Sequence, residues 1–211
     1  MSTAGKLGWR LSLFLGGLYF VTLPFQPYPG SAAIKGLSIA TLALIAWLAE
    51  GRLLALALAA SSIGDVLLDV DPQSLFVPGL AAFLVAHLLY TALFVQHRHR
   101  EISKPRRLAA GTTVLYAAGF ALWLSANLGP LSIPVGFYIL VITAMVVSAV
   151  CAEAPRIVPT GAILFLISDS ILAAGKFKTA IPLSAPLVWG SYYAAQFLIT
   201  KGMIGVIKRQ E

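Results

Sequence analysis

Residues 53–70 read LLALALAASSIGDVLLDV, eighteen positions in which only Ser61, Ser62, Asp65 and Asp69 carry a polar side chain. As a helix the run is about 27 Å long, close to the roughly 30 Å hydrocarbon thickness of a bilayer. A buried helix of a soluble protein rarely needs such a length without charge, and a carboxylate inside hydrocarbon costs about 3 kcal/mol or more, so Asp65 and Asp69 call for a use.

Seven other runs share this character, which gives expected spans at 7–23, 32–49, 53–70, 75–96, 108–128, 131–151, 157–175 and 183–206. Prolines punctuate them at Pro27-Tyr28-Pro29-Gly30, Asp71-Pro72, Lys104-Pro105, Gly129-Pro130, Ala154-Pro155 and Ile181-Pro182, where the missing N–H and the restricted preceding residue favour turns. The composition agrees: 211 residues are 59% hydrophobic and only 11% charged, with mean hydropathy +0.87. A soluble domain carries about a quarter charged residues. The expected fold is an all-α polytopic transmembrane bundle in one membrane domain over residues 1–211. Eight spans of about 20 residues leave room only for short loops, so any chemistry lies within the bundle. The first run ends at Pro24-Phe25-Gln26-Pro27 without a small-x-small pattern and reads as a retained span rather than a cleaved signal.

Basic residues set the orientation. Lys6, Arg10, Arg52, Arg98, Arg100, Lys104, Arg106, Arg107, Arg156, Lys201, Lys208 and Arg209 collect on one side of an eight-span path, and only Lys35, Lys176 and Lys178 on the other. Cytoplasmic loops are enriched in Lys and Arg, so both termini are expected in the cytoplasm. The formal charge of +7 is thereby explained by topology and contact with anionic membrane lipids, and no nucleic-acid partner is expected. A single cysteine, Cys151, excludes an intrachain disulfide and a Cys-rich metal centre.

Of the eight acidic residues, Glu50, Asp71, Glu101, Glu153 and Glu211 fall in loops or ends, leaving Asp65, Asp69 and Asp169 inside spans. Asp65 and Asp169 each stand twelve residues past the cytoplasmic start of their spans, about 18 Å up, and form an expected functional pair at one level. Asp69, one turn farther out, reads as a residue of the watery mouth. His87 and Tyr90 on span four, with Tyr192, Tyr193 and Gln196 on span eight, reach middle depths as orienting candidates, and Lys35 lies at the outer end of span two. The hexapeptide Ile63-Gly64-Asp65-Val66-Leu67-Leu68 is echoed by Ile167-Ser168-Asp169-Ser170-Ile171-Leu172 at an offset of 104. An even number of spans separates the two, as in a parallel 4+4 pseudo-repeat. One histidine beside two aspartates is fewer than catalytic zinc usually takes, so neither metal nor cofactor is expected.

On residues alone the reading stops at an intramembrane acid pair, a feature that intramembrane aspartyl proteolysis and proton-coupled transport also use. Gly64-Asp65 matches part of a Gly-x-Gly-Asp protease signature, but Ser62 replaces its first glycine and no Pro-Ala-Leu follows. Against transport, spans three and seven lack a central proline or unwound glycine segment.

Several stretches together resemble the YhhN-type lysoplasmalogenases, eight-span enzymes that hydrolyse the vinyl ether of lysoplasmalogens. They are Lys35, Gly64-Asp65-Val66-Leu67-Leu68, Gly79-Leu80-Ala81-Ala82-Phe83 with Ala86-His87-Leu88-Leu89-Tyr90, Pro134-Val135 with Tyr138, Gly161 through Ser168-Asp169-Ser170, and Tyr192-Tyr193-Ala194-Ala195-Gln196. The residue after the opening lysine departs from the family pattern, being Gly36 in place of proline. The resemblance implies a lysophospholipid substrate with an sn-1 O–CH=CH chain. Proton transfer to the β-carbon then needs one protonated and one ionised carboxyl, roles that Asp65 and Asp169 would share as a coupled pair. Lys35 would hold the lipid phosphate, with Asp69, His87, Tyr90, Ser168, Tyr192, Tyr193 and Gln196 binding or orienting. The expected location is a bacterial cytoplasmic membrane; oligomeric state stays open.

Overall fold

Within hydrocarbon no water is present to satisfy peptide groups, so an apolar run is driven to close every N–H and C=O on itself as helix. The computed structural model describes residues 3–99 and 101–209; Arg100 and Glu211, counted among the loop and terminal charges, lie outside them. Among the described residues there are eight α-helices and no strand: α1 Thr3–Thr22, α2 Ser31–Leu48, α3 Arg52–Val70, α4 Phe76–Gln96, α5 Lys104–Ser125, α6 Ser132–Cys151, α7 Ile157–Phe177 and α8 Ser184–Ile207. Seven of them are long and apolar enough to cross a membrane. The eighth, α8, has the length at 24 residues, but Tyr192, Tyr193, Gln196 and Lys201 make it more polar.

Most boundaries fall within two residues of the expected spans. The exceptions are α1, which begins at Thr3 rather than 7, and α5, which runs Lys104–Ser125 instead of 108–128. Pro105, read as a turn signal, occupies the first turn of the helix, where no N–H is needed and its fixed φ fits. Large apolar side chains point outward along the helices: Leu115 is 75% exposed, Leu122 76% and Ile133 85%. Such surface would draw a water-soluble protein into aggregation, whereas here it is the lipid-facing skin of an integral membrane protein.

The chain divides into two compact units, one built from residues up to Tyr90 and from Met203 onward, the other from Thr91–Gly202. In the first, α1 packs on α2 and α2 on α3. Ser12 ties α1 to α2 by donating to the Ser38 carbonyl at 2.8 Å, and Ser62 ties α3 to α2 by donating to the Gly36 carbonyl at 2.8 Å. The latter closeness explains the glycine: a Cβ at Gly36 would stand 2.5 Å from Val66 Cγ2. Helix α2 starts at Gly30, whose φ of +90° suits a residue without a side chain.

The turn between α3 and α4 is held by Asp71, whose Oδ1 accepts from the amides of Gln73 and Ser74, both at 3.0 Å. Donation from the Ser74 amide, then its hydroxyl, then the Gln73 amide, holds this exposed carboxyl below its ordinary range. A carboxyl depressed on folding stabilises the turn above its unfolded pKa and loses that contribution as pH falls through the lower folded value. An NMR titration is expected to find Asp71 titrating below ordinary aspartates, with Ser74 amide protection fading over the same acid interval.

In the second unit, α5 packs on α6 and α6 on α7. Arg106 of α5 caps the end of α6, donating to the carbonyls of Val150 at 3.1 Å and Ala152 at 2.6 Å. The α4–α5 and α6–α7 connections pair briefly: the His99 amide donates to the Cys151 carbonyl at 3.1 Å and the Glu153 amide to the His97 carbonyl at 2.6 Å. Helix α7 lies close on α8 at Gly161.

Candidate functional site

Most hydroxyls inside the helices are satisfied locally. Thr41, Thr113, Thr143, Ser170 and Thr200 each donate to the carbonyl four residues back, at 2.6–2.9 Å, a common fate of helical Ser and Thr. Other polar groups reach beyond their own helix, and several of these meet the carboxylates.

In the first unit the centre is Asp69. Its Oδ1 accepts from the Tyr19 hydroxyl of α1 and from Gln26 Nε2 at 3.3 Å, and its Oδ2 accepts from Ser31 Oγ of α2 at 2.6 Å. Gln26 also donates to the Tyr19 hydroxyl oxygen at 2.9 Å. Lys35, on the next turn of α2 after Ser31, sets its ammonium 3.7 Å from Asp65 Oδ1 and 3.9 Å from Asp69 Oδ1, and 5.6 Å from the Tyr19 ring centre. The carboxylates of Asp65 and Asp69 meet one cation because they stand four residues apart on one face of α3.

One expectation changes here. Asp69 is no watery mouth residue: its side chain is only 6% exposed and enclosed by donors from α1, α2 and the intervening turn. Lys35, the residue expected to hold the lipid phosphate, has its ammonium on Asp65 and Asp69.

Ser61 lies one turn before Asp65. Its hydroxyl is buried and makes no hydrogen bond among the described residues, unlike the back-bonded hydroxyls above. A hydroxyl carries both a donor and an acceptor. His87 and Tyr90 are fully buried on α4.

The second unit holds Asp169 on α7, which accepts from the Tyr138 hydroxyl of α6 at 2.5 Å. Ser168 is spent on packing, donating to the Val188 carbonyl of α8 at 3.0 Å. On α8, Gln196 Nε2 donates to the Tyr192 hydroxyl at 3.2 Å. The Tyr192 ring meets Phe165 edge-on at 5.2 Å, while Trp189 stacks obliquely against Tyr193 at 5.6 Å. Of the expected residues, then, Lys35, Asp65 and Asp69 form one cluster, Tyr192 and Gln196 another, and Asp169 is held by Tyr138.

Sequence reasoning passed over Tyr19, Gln26 and Ser31 and gave Tyr138 no role. A signal existed for the first two: Tyr19, Thr22 and Gln26 recur at intervals of three and four, a polar stripe on the end of an otherwise apolar run.

Carboxylates held by an ammonium and phenols, on helices made to cross lipid, define an integral membrane protein with acidic groups inside its spans. The chain belongs to the YhhN family, whose model matches residues 30–203. A lysoplasmalogenase of Mycobacterium bovis is 36% identical over 92% of this chain and 83% of its own length. The human lysoplasmalogenase TMEM86B is 33% identical over 81% of this chain and 74% of its own, and the bovine lysoplasmalogenase TMEM86A 33% over 66% and 60%. No solved structure matches the chain.

Proposed function

We infer that this protein is a lysoplasmalogenase, a hydrolase that cleaves the sn-1 vinyl ether of a lysoplasmalogen to a fatty aldehyde and a glycerophospho-base. The observation that carries this reading is membership of the YhhN family, with relatives named lysoplasmalogenase aligned over most of the chain. The carboxylates support it chemically. A protonated aspartate gives its proton to the β-carbon of O–CH=CH–R, leaving an oxocarbenium ion. The ionised partner stabilises that cation and takes a proton from water as the water oxygen bonds to the α-carbon. The hemiacetal then collapses: its hydroxyl proton leaves, the C–O bond to glycerol breaks, and the glyceryl oxygen is protonated.

Asp65 and Asp169 are the proposed acid and base, unassigned between them because coupled carboxyls titrate as a pair. Lys35 is the counter-ion of Asp65, and Tyr138 steadies Asp169 as its donor. His87, Tyr90, Tyr192, Tyr193 and Gln196 are the proposed orienting residues for the carboxyls and water. The whole chain is one membrane domain of eight spans in this reading, α8 included, arranged as a parallel 4+4 pseudo-repeat with both termini in the cytoplasm of a bacterial inner membrane. Reporter fusions at either end are expected to report from the cytoplasmic side; an external signal from the carboxyl end would remove α8 as a span.

The test of activity gives detergent-purified protein a lysoplasmalogen beside its saturated alkyl-ether and ester analogues and follows products by mass spectrometry. Aldehyde from the vinyl ether alone is expected. Folded protein that releases none refutes the assignment.

A further inference from the structure

The family match begins at residue 30, whereas Tyr19 and Gln26, two of the groups that enclose Asp69, precede it. The geometry points to Tyr19 as a positioning residue of the active site: it holds Asp69 as the partner of Lys35 and so fixes the ammonium beside Asp65. This inference rests on the proposed cleavage of lysoplasmalogens with Asp65 as a catalytic group.

Tyr19 touches both members of an ion pair. Its hydroxyl donates to Asp69, and its ring centre lies 5.6 Å from the Lys35 ammonium, within the range of a cation–π attraction. The hydroxyl oxygen already accepts from Gln26 at 2.9 Å, which orients the phenol and leaves its single proton for Asp69. With Ser31 on Oδ2 and Gln26 on Oδ1, Asp69 is surrounded by donors. An ionised carboxylate, which only accepts, satisfies them all; a protonated one would need an acceptor. Asp69 thereby neutralises Lys35, and Asp65 meets an ammonium whose charge is already shared.

The simpler role for Tyr19, fastening α1 to its neighbours, is already filled elsewhere. Ser12 bonds the Ser38 carbonyl, and Gly8 brings α1 close to Ile45. Tyr19 is 3% exposed, and a phenylalanine would occupy the same space without a polar atom to satisfy. Packing alone gives no reason for the hydroxyl.

Tyr19→Phe keeps the ring over Lys35 and removes only the donor. With lysoplasmalogen as substrate, kcat is expected to fall about tenfold, the scale of losing a hydrogen bond to a charged group, while KM moves by less than about twofold. Asp69→Asn is expected to lower kcat as well, and the double variant to lose no more than Asp69→Asn alone, because both changes act through one carboxylate. An unchanged kcat with a lowered unfolding midpoint, or losses that multiply in the double variant, overturns the inference while leaving the activity standing. Wild-type protein that releases no aldehyde overturns the activity and this inference together. Should Tyr19→Phe not fold, Gln26→Met removes the group that orients the phenol, and a loss of about threefold in kcat at constant KM is expected; no loss there also overturns it.

Discussion

Asp65→Asn and Asp169→Asn are each expected to cut aldehyde release by on the order of 10³-fold, the usual worth of a positioned acid or base. Asparagine keeps the shape of the side chain but can neither deliver a proton nor carry the negative charge that an oxocarbenium ion requires. The folded yield should survive, for reasons that differ at the two positions. At Asp65, loss of the carboxylate leaves Lys35 with Asp69 3.9 Å away, so no uncompensated cation is stranded in hydrocarbon. At Asp169, the amide oxygen of asparagine still accepts from Tyr138, which now stands at 2.5 Å. Aldehyde release and thermal unfolding measured on the same preparation separate chemistry from folding. Full activity in either variant removes that aspartate from the reaction.

Gly161→Val should produce the largest loss of stability. A Cβ at this position would lie 2.9 Å from the Ala195 carbonyl oxygen and 3.2 Å from the Ile199 amide nitrogen of α8. Both atoms are backbone, so no rotamer change relieves the clash, and α7 must move away from α8. That movement pulls against the Ser168–Val188 hydrogen bond at 3.0 Å. Overpacking of this kind costs about 3 kcal/mol, and the unfolding midpoint in detergent should fall accordingly. Gly119→Ala in α5 is the matched control. Nothing lies within 4 Å of its added Cβ, so the substitution is expected to be neutral or to gain less than about 1 kcal/mol of helix propensity. If the two variants melt alike, the close approach of α7 and α8 at Gly161 is wrong.

Much of the architecture is legible in one dimension because transfer into hydrocarbon is nearly a sum over residues. Leu53 to Val70 announces a span whatever surrounds it, and seven of the eight apolar runs are helices that meet the requirement for crossing a membrane. The same arithmetic singles out Asp65, Asp69 and Asp169, since an acid in such a run is conspicuous for its cost. Pro105 was less legible. A proline interrupts a helix or begins one depending on which backbone N–H groups already lack partners, and α5 uses it at the start.

What composition and spacing determined was where the chain enters lipid and which acids it takes there. The partners of those acids were decided by tertiary structure. Tyr19 from α1, Gln26 from the turn and Ser31 from α2 reach Asp69 from as many as 50 residues away in the chain, and Lys35 turns inward to it. The hydropathy of a residue records its exchange of water for hydrocarbon. A hydrogen bond or an ion pair depends on distance and direction between two groups, which exist only once the helices have packed.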